Sequence, residues 1–186
     1  MRRPIFSILG IIFIIVLAVL FFNRGSNEPS PAKKTQKILH DYANSNAIVG
    51  FTTQGKIVGD DKYRSIRITI GRDFRKVEVL DGYEQVVEKA QNFSNNEDAY
   101  GVFLRALELH GFTKSRKTPT ADERGTCPTG NRYVYEHKDG DDSLQRTWST
   151  SCNTSQGSFA GQQVVRQLFQ AQITDYGKFT AGIPIQ

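Results

Sequence analysis

Cys127 and Cys152 are the only cysteines in the chain. Two thiols can bond to each other, hold a metal, or supply a nucleophilic thiolate. Their placement favours the bond. They flank a hairpin pattern in which Arg132 to Lys138 and Ser143 to Ser151 alternate around Asp139-Gly140-Asp141-Asp142. A tight turn at Asp139-Gly140 sets Lys138 opposite Asp141, and the same register carried outward sets Cys127 opposite Cys152. At a non-hydrogen-bonded position the Cα atoms would lie about 4.5 Å apart, within disulfide reach. Pro128 and Gly130 can end the ladder early, so the expectation is proximity; a turn one residue later breaks the alignment. The bond would close a loop of about 25 residues and imply an oxidising compartment. Two buried free thiols are the competing reading.

The remaining chemistry-bearing residues form no reactive set. Cys127 and Arg132 fall one residue short of the Cys-x5-Arg phosphate loop of cysteine phosphatases. His40, His110 and His137 are scattered, without metal spacing, so no metal or cofactor is expected. Asp139, Asp141 and Asp142 lack the alternation and trailing Glu of a calcium loop, and turn chemistry accounts for them. No Ser, Thr or Cys sits in a nucleophile motif, so no catalytic residue is assigned. Two groups suit binding instead. Lys114, Arg116 and Lys117 form a basic cluster on a loop, able to meet anionic headgroups or wall polymers. In the same hairpin register Tyr133 faces Arg146, next to Trp148, the only tryptophan. A Tyr/Arg/Trp surface suits recognition, while a packed core tryptophan is the plainer alternative.

These residues need strands and helices to hold them. Ala47 to Thr53 alternates, and Tyr63 to Gly71 does so clearly, with Ile66, Ile68 and Ile70 on one face. Arg75 to Leu80 alternates again. The turn dipeptide Asp81-Gly82 then predicts a return strand from Tyr83 to about Phe93, although Tyr83, Val86, Val87 and Ala90 also fit helical spacing. Glu97 to His110 reads as a helix: Asn95 or Asn96 caps it, Tyr100, Phe103, Leu104 and Leu107 form its stripe, and Gly111 stops it. Val164, Val165, Leu168 and Phe169 mark a second helix to about Gln172, and Ile173, Tyr176 and Phe179 are placed to pin the tail. The predicted fold is α+β, in two layers: an antiparallel sheet with two helices on one face.

Ahead of this domain, residues 5–22 carry no charge. A helix of that length rises about 27 Å, close to the thickness of a bilayer core. The run exceeds the usual signal-peptide length and no Ala-x-Ala site follows, so an uncleaved transmembrane anchor is expected. Its context fits neither a twin-arginine signal nor a pilin. Residues 1–4 would form a cytoplasmic tail, 23–37 a flexible Ser/Asn/Pro/Lys linker, and 38–186 an extracytoplasmic domain. A count of flanking Lys and Arg points the other way. Arg2 and Arg3 lie nearest the membrane, however, long domains translocate regardless of charge, and the cysteines favour the outside.

With 24 Lys and Arg against 19 Asp and Glu, the net charge is a mild +5, and no nucleic-acid partner is expected. The segments R-S-I-R-I-T-I, N-N-E-D-A-Y-G-V-F-L-R-A-L-E-L-H-G-F, C-P-T-G-N-R-Y-V-Y-E and R-T-W-S-T-S-C together resemble single-span bacterial membrane proteins of uncharacterised activity, across about residues 45–180. A second, topological likeness is to emfourin-type metalloprotease inhibitors, which typically lack the anchor and the cysteine pair; no inhibitory residue carries over. The expected protein is a single-pass cell-membrane protein with its C-terminal domain outside the cytoplasm. That domain would bind another envelope protein or an anionic wall polymer. A surface-tethered protease inhibitor and an envelope hydrolase are the alternatives.

Overall fold

A computed structural model describes residues 37–117, 122–153 and 155–185. The expected tail, the transmembrane stretch and all of the linker but Lys37 lie outside the described residues. No helix among the described residues is long and apolar enough to cross a membrane.

The alternating segments become six strands: β1 (Ile48–Gln54), β2 (Arg64–Ile70), β3 (Phe74–Asp81), β4 (Val86–Ser94), β5 (Arg132–Asp139) and β6 (Asp142–Thr150). They form one antiparallel sheet in the order β4-β3-β2-β1-β5-β6, so β1 lies inside it, between β2 and β5. The register stacks apolar residues in rows. Phe51 faces Ile68 on one side and Tyr135 on the other, and Ile68 faces Val77.

Helix α1 (Glu97–Leu109) begins where Asn96 accepts a 2.9 Å hydrogen bond from the Ala99 amide. It ends in a Schellman motif. The Phe112 amide donates to Leu107 O and the Gly111 amide to Glu108 O, with Gly111 at φ +79°. Helix α2 (Val164–Ala171) and the short α3 (Tyr176–Thr180) follow β6. Tyr100, Phe103, Leu104 and Leu107 of α1 and Val165 and Phe169 of α2 share one core with Val49, Phe51, Ile66, Ile68, Ile70, Val77, Val79 and Tyr135 of the sheet. The Phe169 ring lies 5.3 Å from Phe103 and 5.6 Å from Phe51, so it locks α2 against both α1 and β1. Two sheet cations hold the tail: Arg75 donates to Gln172 O at 3.0 Å, and Lys89 to Phe179 O at 2.9 Å.

The helix-free face is partly covered by loops. The segments before β2 and β5 are tied together where the Ile57 amide donates to Pro128 O (2.8 Å). Tyr63, Leu80, Val134 and Trp148 are buried outside the main core.

Three sequence expectations change. The return strand starts at Val86, because residues 82–85 form the turn: Asp81 pairs with Val86, Gly82 and Gln85 take positive φ, and Tyr83 leaves to stack on Tyr63 at 4.1 Å. The short α3 was not foreseen. The β5–β6 turn falls one residue later than expected, with Asp139 facing Asp142. Gly140 takes φ +59° and stands first in the two-residue turn, as in type II′. A bulge between His137 and Lys138 shifts the ladder again, so Tyr133 faces Ser149 and Arg146 faces Glu136.

The cysteines nevertheless bond, with Cα atoms 5.7 Å apart. The observed ladder, carried past Arg132–Thr150, brings Gly130 opposite Cys152. The chain folds back there, and the Gly130 amide donates to Cys127 O at 3.3 Å. A Cβ on Gly130 would lie 2.7 Å from one sulfur and 3.0 Å from the other, so only glycine leaves room for the bridge. The bond is thus made by a turn at the ladder's end, not by direct cross-strand pairing.

Candidate functional site

The hairpin shift separates the expected binding surface. Tyr133 shares its face of β5 with Tyr135, toward the helices, whereas Arg146 and Trp148 alternate onto the helix-free face of β6. Trp148 is buried; its amide donates to Ser158 Oγ at 3.1 Å and its carbonyl accepts from the Phe159 amide. It is a packing residue. Arg146 is engaged by Glu123, with contacts of 2.5 and 2.8 Å. It borders a cavity of about 570 Å³ with Tyr63, Tyr83 and Arg132. The basic loop divides too. The side chains of Lys114 and Lys117 are exposed, while Arg116 is half-buried and lines a cavity with Tyr133.

Tyr133 and Arg116 meet in a groove that the sequence reading did not contain. Two adjoining cavities, of about 610 and 540 Å³, share Tyr133, Gln163 and Arg166. The larger runs between α2 and the tail, past Asn131, Gln167, Gln170 and Tyr176. The smaller runs toward β6, past Arg116, Ser149, Ser151 and Gln162. Helical spacing places Gln163, Arg166, Gln167 and Gln170 along one stripe of α2, away from Val165 and Phe169. Burial of Val165 and Phe169 therefore turns a row of amides and one guanidinium into the groove.

The Arg166 guanidinium lies 4.2 Å from the Tyr133 ring centroid, a cation–π contact that holds it over the groove floor. Its polar contact within the protein is a 3.4 Å approach to Gln163 Oε1, and it takes part in no ion pair among the described residues. Neither cavity is lined by an Asp or a Glu. Burial pushes the Tyr135 hydroxyl up to about 12 and raises Tyr176, so both stay neutral hydrogen-bonding groups. The groove can thus offer positive charge, amides that both donate and accept, neutral hydroxyls and an aromatic face.

The histidines occupy separate structural positions. His40 contacts Gly101 O and Arg105, and His110 pairs with Gln162 Oε1 at 2.8 Å. His137 is buried with the Tyr42 ring edge-on at 4.7 Å, and burial lowers its pKa against a weaker opposite pull from Asp139. Asp139 and Asp142 close the hairpin.

Sequence reasoning missed Arg166 and the glutamines. The available signal was the polar stripe Gln163-Arg166-Gln167-Gln170 opposite the apolar positions already assigned to α2. Comparison of the chain with family models, curated proteins and solved structures gives no match.

Proposed function

We propose that this chain is a membrane-anchored, extracytoplasmic binding module whose groove at Arg116, Tyr133 and Arg166 holds an anionic, hydroxyl-rich envelope polymer. The observation that carries the reading is the groove lining. Two guanidinium groups and a stripe of glutamines share it with no carboxylate. Arginine matches phosphate and carboxylate geometry, amides pair with hydroxyls, and an aromatic face packs on a sugar ring or glycerol backbone. The charge-free stretch at residues 5–22 supports the anchor, and the disulfide supports an oxidising location.

The test uses the full chain in detergent and a purified polyol-phosphate wall polymer, with a neutral glycan of similar length as control. Arg166→Ala should weaken binding of the anionic polymer about tenfold or more, the loss expected for a charged hydrogen bond. Equal binding by parent and variant, or a preference for the neutral glycan, would refute the assignment. Labelling Cys127 and Cys152 on intact cells should need both a reductant and nothing more than a membrane-impermeant reagent. Labelling that requires lysis would place the domain inside.

A further inference from the structure

The two edges of the sheet are treated differently. The outer edge of β6 is covered toward its end by its own chain: the Phe159 amide donates to Trp148 O, Ser158 Oγ contacts the Trp148 amide, and Gly157 bridges to Ser149. β4 pairs with β3 alone, and every one of its residues is exposed except half-buried Phe93. Its start carries two solvent-facing valines, Val86 (62 % exposed) and Val87 (48 %).

An open edge of this length invites another strand, and proteins normally guard against that with proline, an outward lysine or a bulge. β4 has no proline. Its lysine does not stand guard, because the Lys89 ammonium folds back over the Phe179 ring (4.3 Å) and bonds Phe179 O. Its irregularity lies at its start, opposite Val79 and Leu80, which leaves Lys89 to Ser94 in regular register.

We propose that β4 is the docking edge for a second copy of this chain, which extends the sheet by an antiparallel β4–β4 pair across a two-fold axis at Gln91. About that residue the regular stretch can pair with a copy of itself without a charge clash. Lys89 meets Phe93 of the second copy, Ala90 meets Asn92, and Gln91 meets Gln91. No like charges face each other, and two glutamine amides can each donate to the other. An axis at Lys89 would instead oppose two ammonium groups. The axis stands normal to the sheet, so the helices of both copies lie on one side of it.

The test uses the full chain in detergent micelles. Cys127 and Cys152 are consumed in their own bridge, so an introduced cysteine is the sole free thiol. Gln91→Cys brings two thiols onto the axis, where paired Cα atoms sit about 4.5–5.5 Å apart. Mild oxidation should yield covalent dimers. Val102→Cys, exposed on α1, should give none above background. Gln91→Lys places like charges on the axis and should shift the dimer to monomer by at least about tenfold in dissociation constant, with the monomer still unfolding cooperatively in a thermal melt. A monomeric parent at tens of micromolar, equal cross-linking at positions 91 and 102, or a dimer indifferent to Gln91→Lys would each overturn the proposal. Capture of an unrelated extended peptide by β4 in the monomeric parent would also overturn it.

Discussion

Replacing Cys127 and Cys152 together by alanine removes a cross-link between residues 25 apart in sequence. Loop-closure entropy for a ring of that size corresponds to about 3.5 kcal/mol of stability. At about 2–4 °C per kcal/mol for a domain of this length, the melting temperature should fall by about 7–14 °C. A second contribution is separable from the first. Cys127 holds φ at +56°, a left-handed conformation that costs a residue with a Cβ about 1–2 kcal/mol. Alanine at position 127 keeps that cost. Glycine relieves it but loses more chain entropy on folding, so Cys127→Gly/Cys152→Ala should recover about 0.5–1 kcal/mol relative to the double alanine variant. Thermal and urea melts of the parent and both variants measure the two effects separately. A double alanine variant that melts within about 2 °C of the parent would refute the loop-closure argument. A glycine variant less stable than the alanine one would show that the turn at residue 127 dissolves once the bond is cut.

Two further outcomes follow from the core and its buried imidazole. Phe169→Ala should cost about 3–5 kcal/mol, since the side chain is fully buried between α1, β1 and the loop at Phe112; a loss under about 1 kcal/mol by urea melts would mean that α2 repacks. Burial holds the His137 pKa below its ordinary value, so the unfolded chain takes up a proton at a higher pH than the folded one. Its contribution is intact above the unfolded pKa of about 6.5 and is lost as pH falls below that value toward the folded pKa. Melting temperatures between pH 7.5 and 5 should therefore drop more in the parent than in His137→Phe, and identical drops would remove His137 as the cause.

Period-two patterns made the sheet legible. Ile66, Ile68 and Ile70 fix a buried face, and the partners of β2 follow from their own alternation. Helix α1 was legible because its start and stop are local chemistry, Asn96 at one end and Gly111 at the other. The hairpin register was not. Gly140 suits either turn position by composition, and the bulge at Leu144 leaves no mark in the sequence, so a small local choice moved Tyr133 away from Arg146 and onto the other face. The cysteine pair survived that error because a turn, rather than a rung, closes it. The groove was illegible for a different reason. Glutamines carry no reactive signature, and Arg116, Tyr133 and Arg166 come from a loop, a strand and a helix that meet only once the helices dock.

The strand order has a bearing on biogenesis. β1 gains its second neighbour only when Arg132–Asp139 arrives, long after β1 to β4 can have joined as a meander. A chain emerging from its N-terminus therefore presents Gly50-Phe51-Thr52-Thr53 as a temporary sticky border until the late hairpin seals it. Premature stops before residue 132 would leave that border permanently open. They should yield aggregates and not a smaller working domain, so the C-terminal third acts as the closing clasp of the fold.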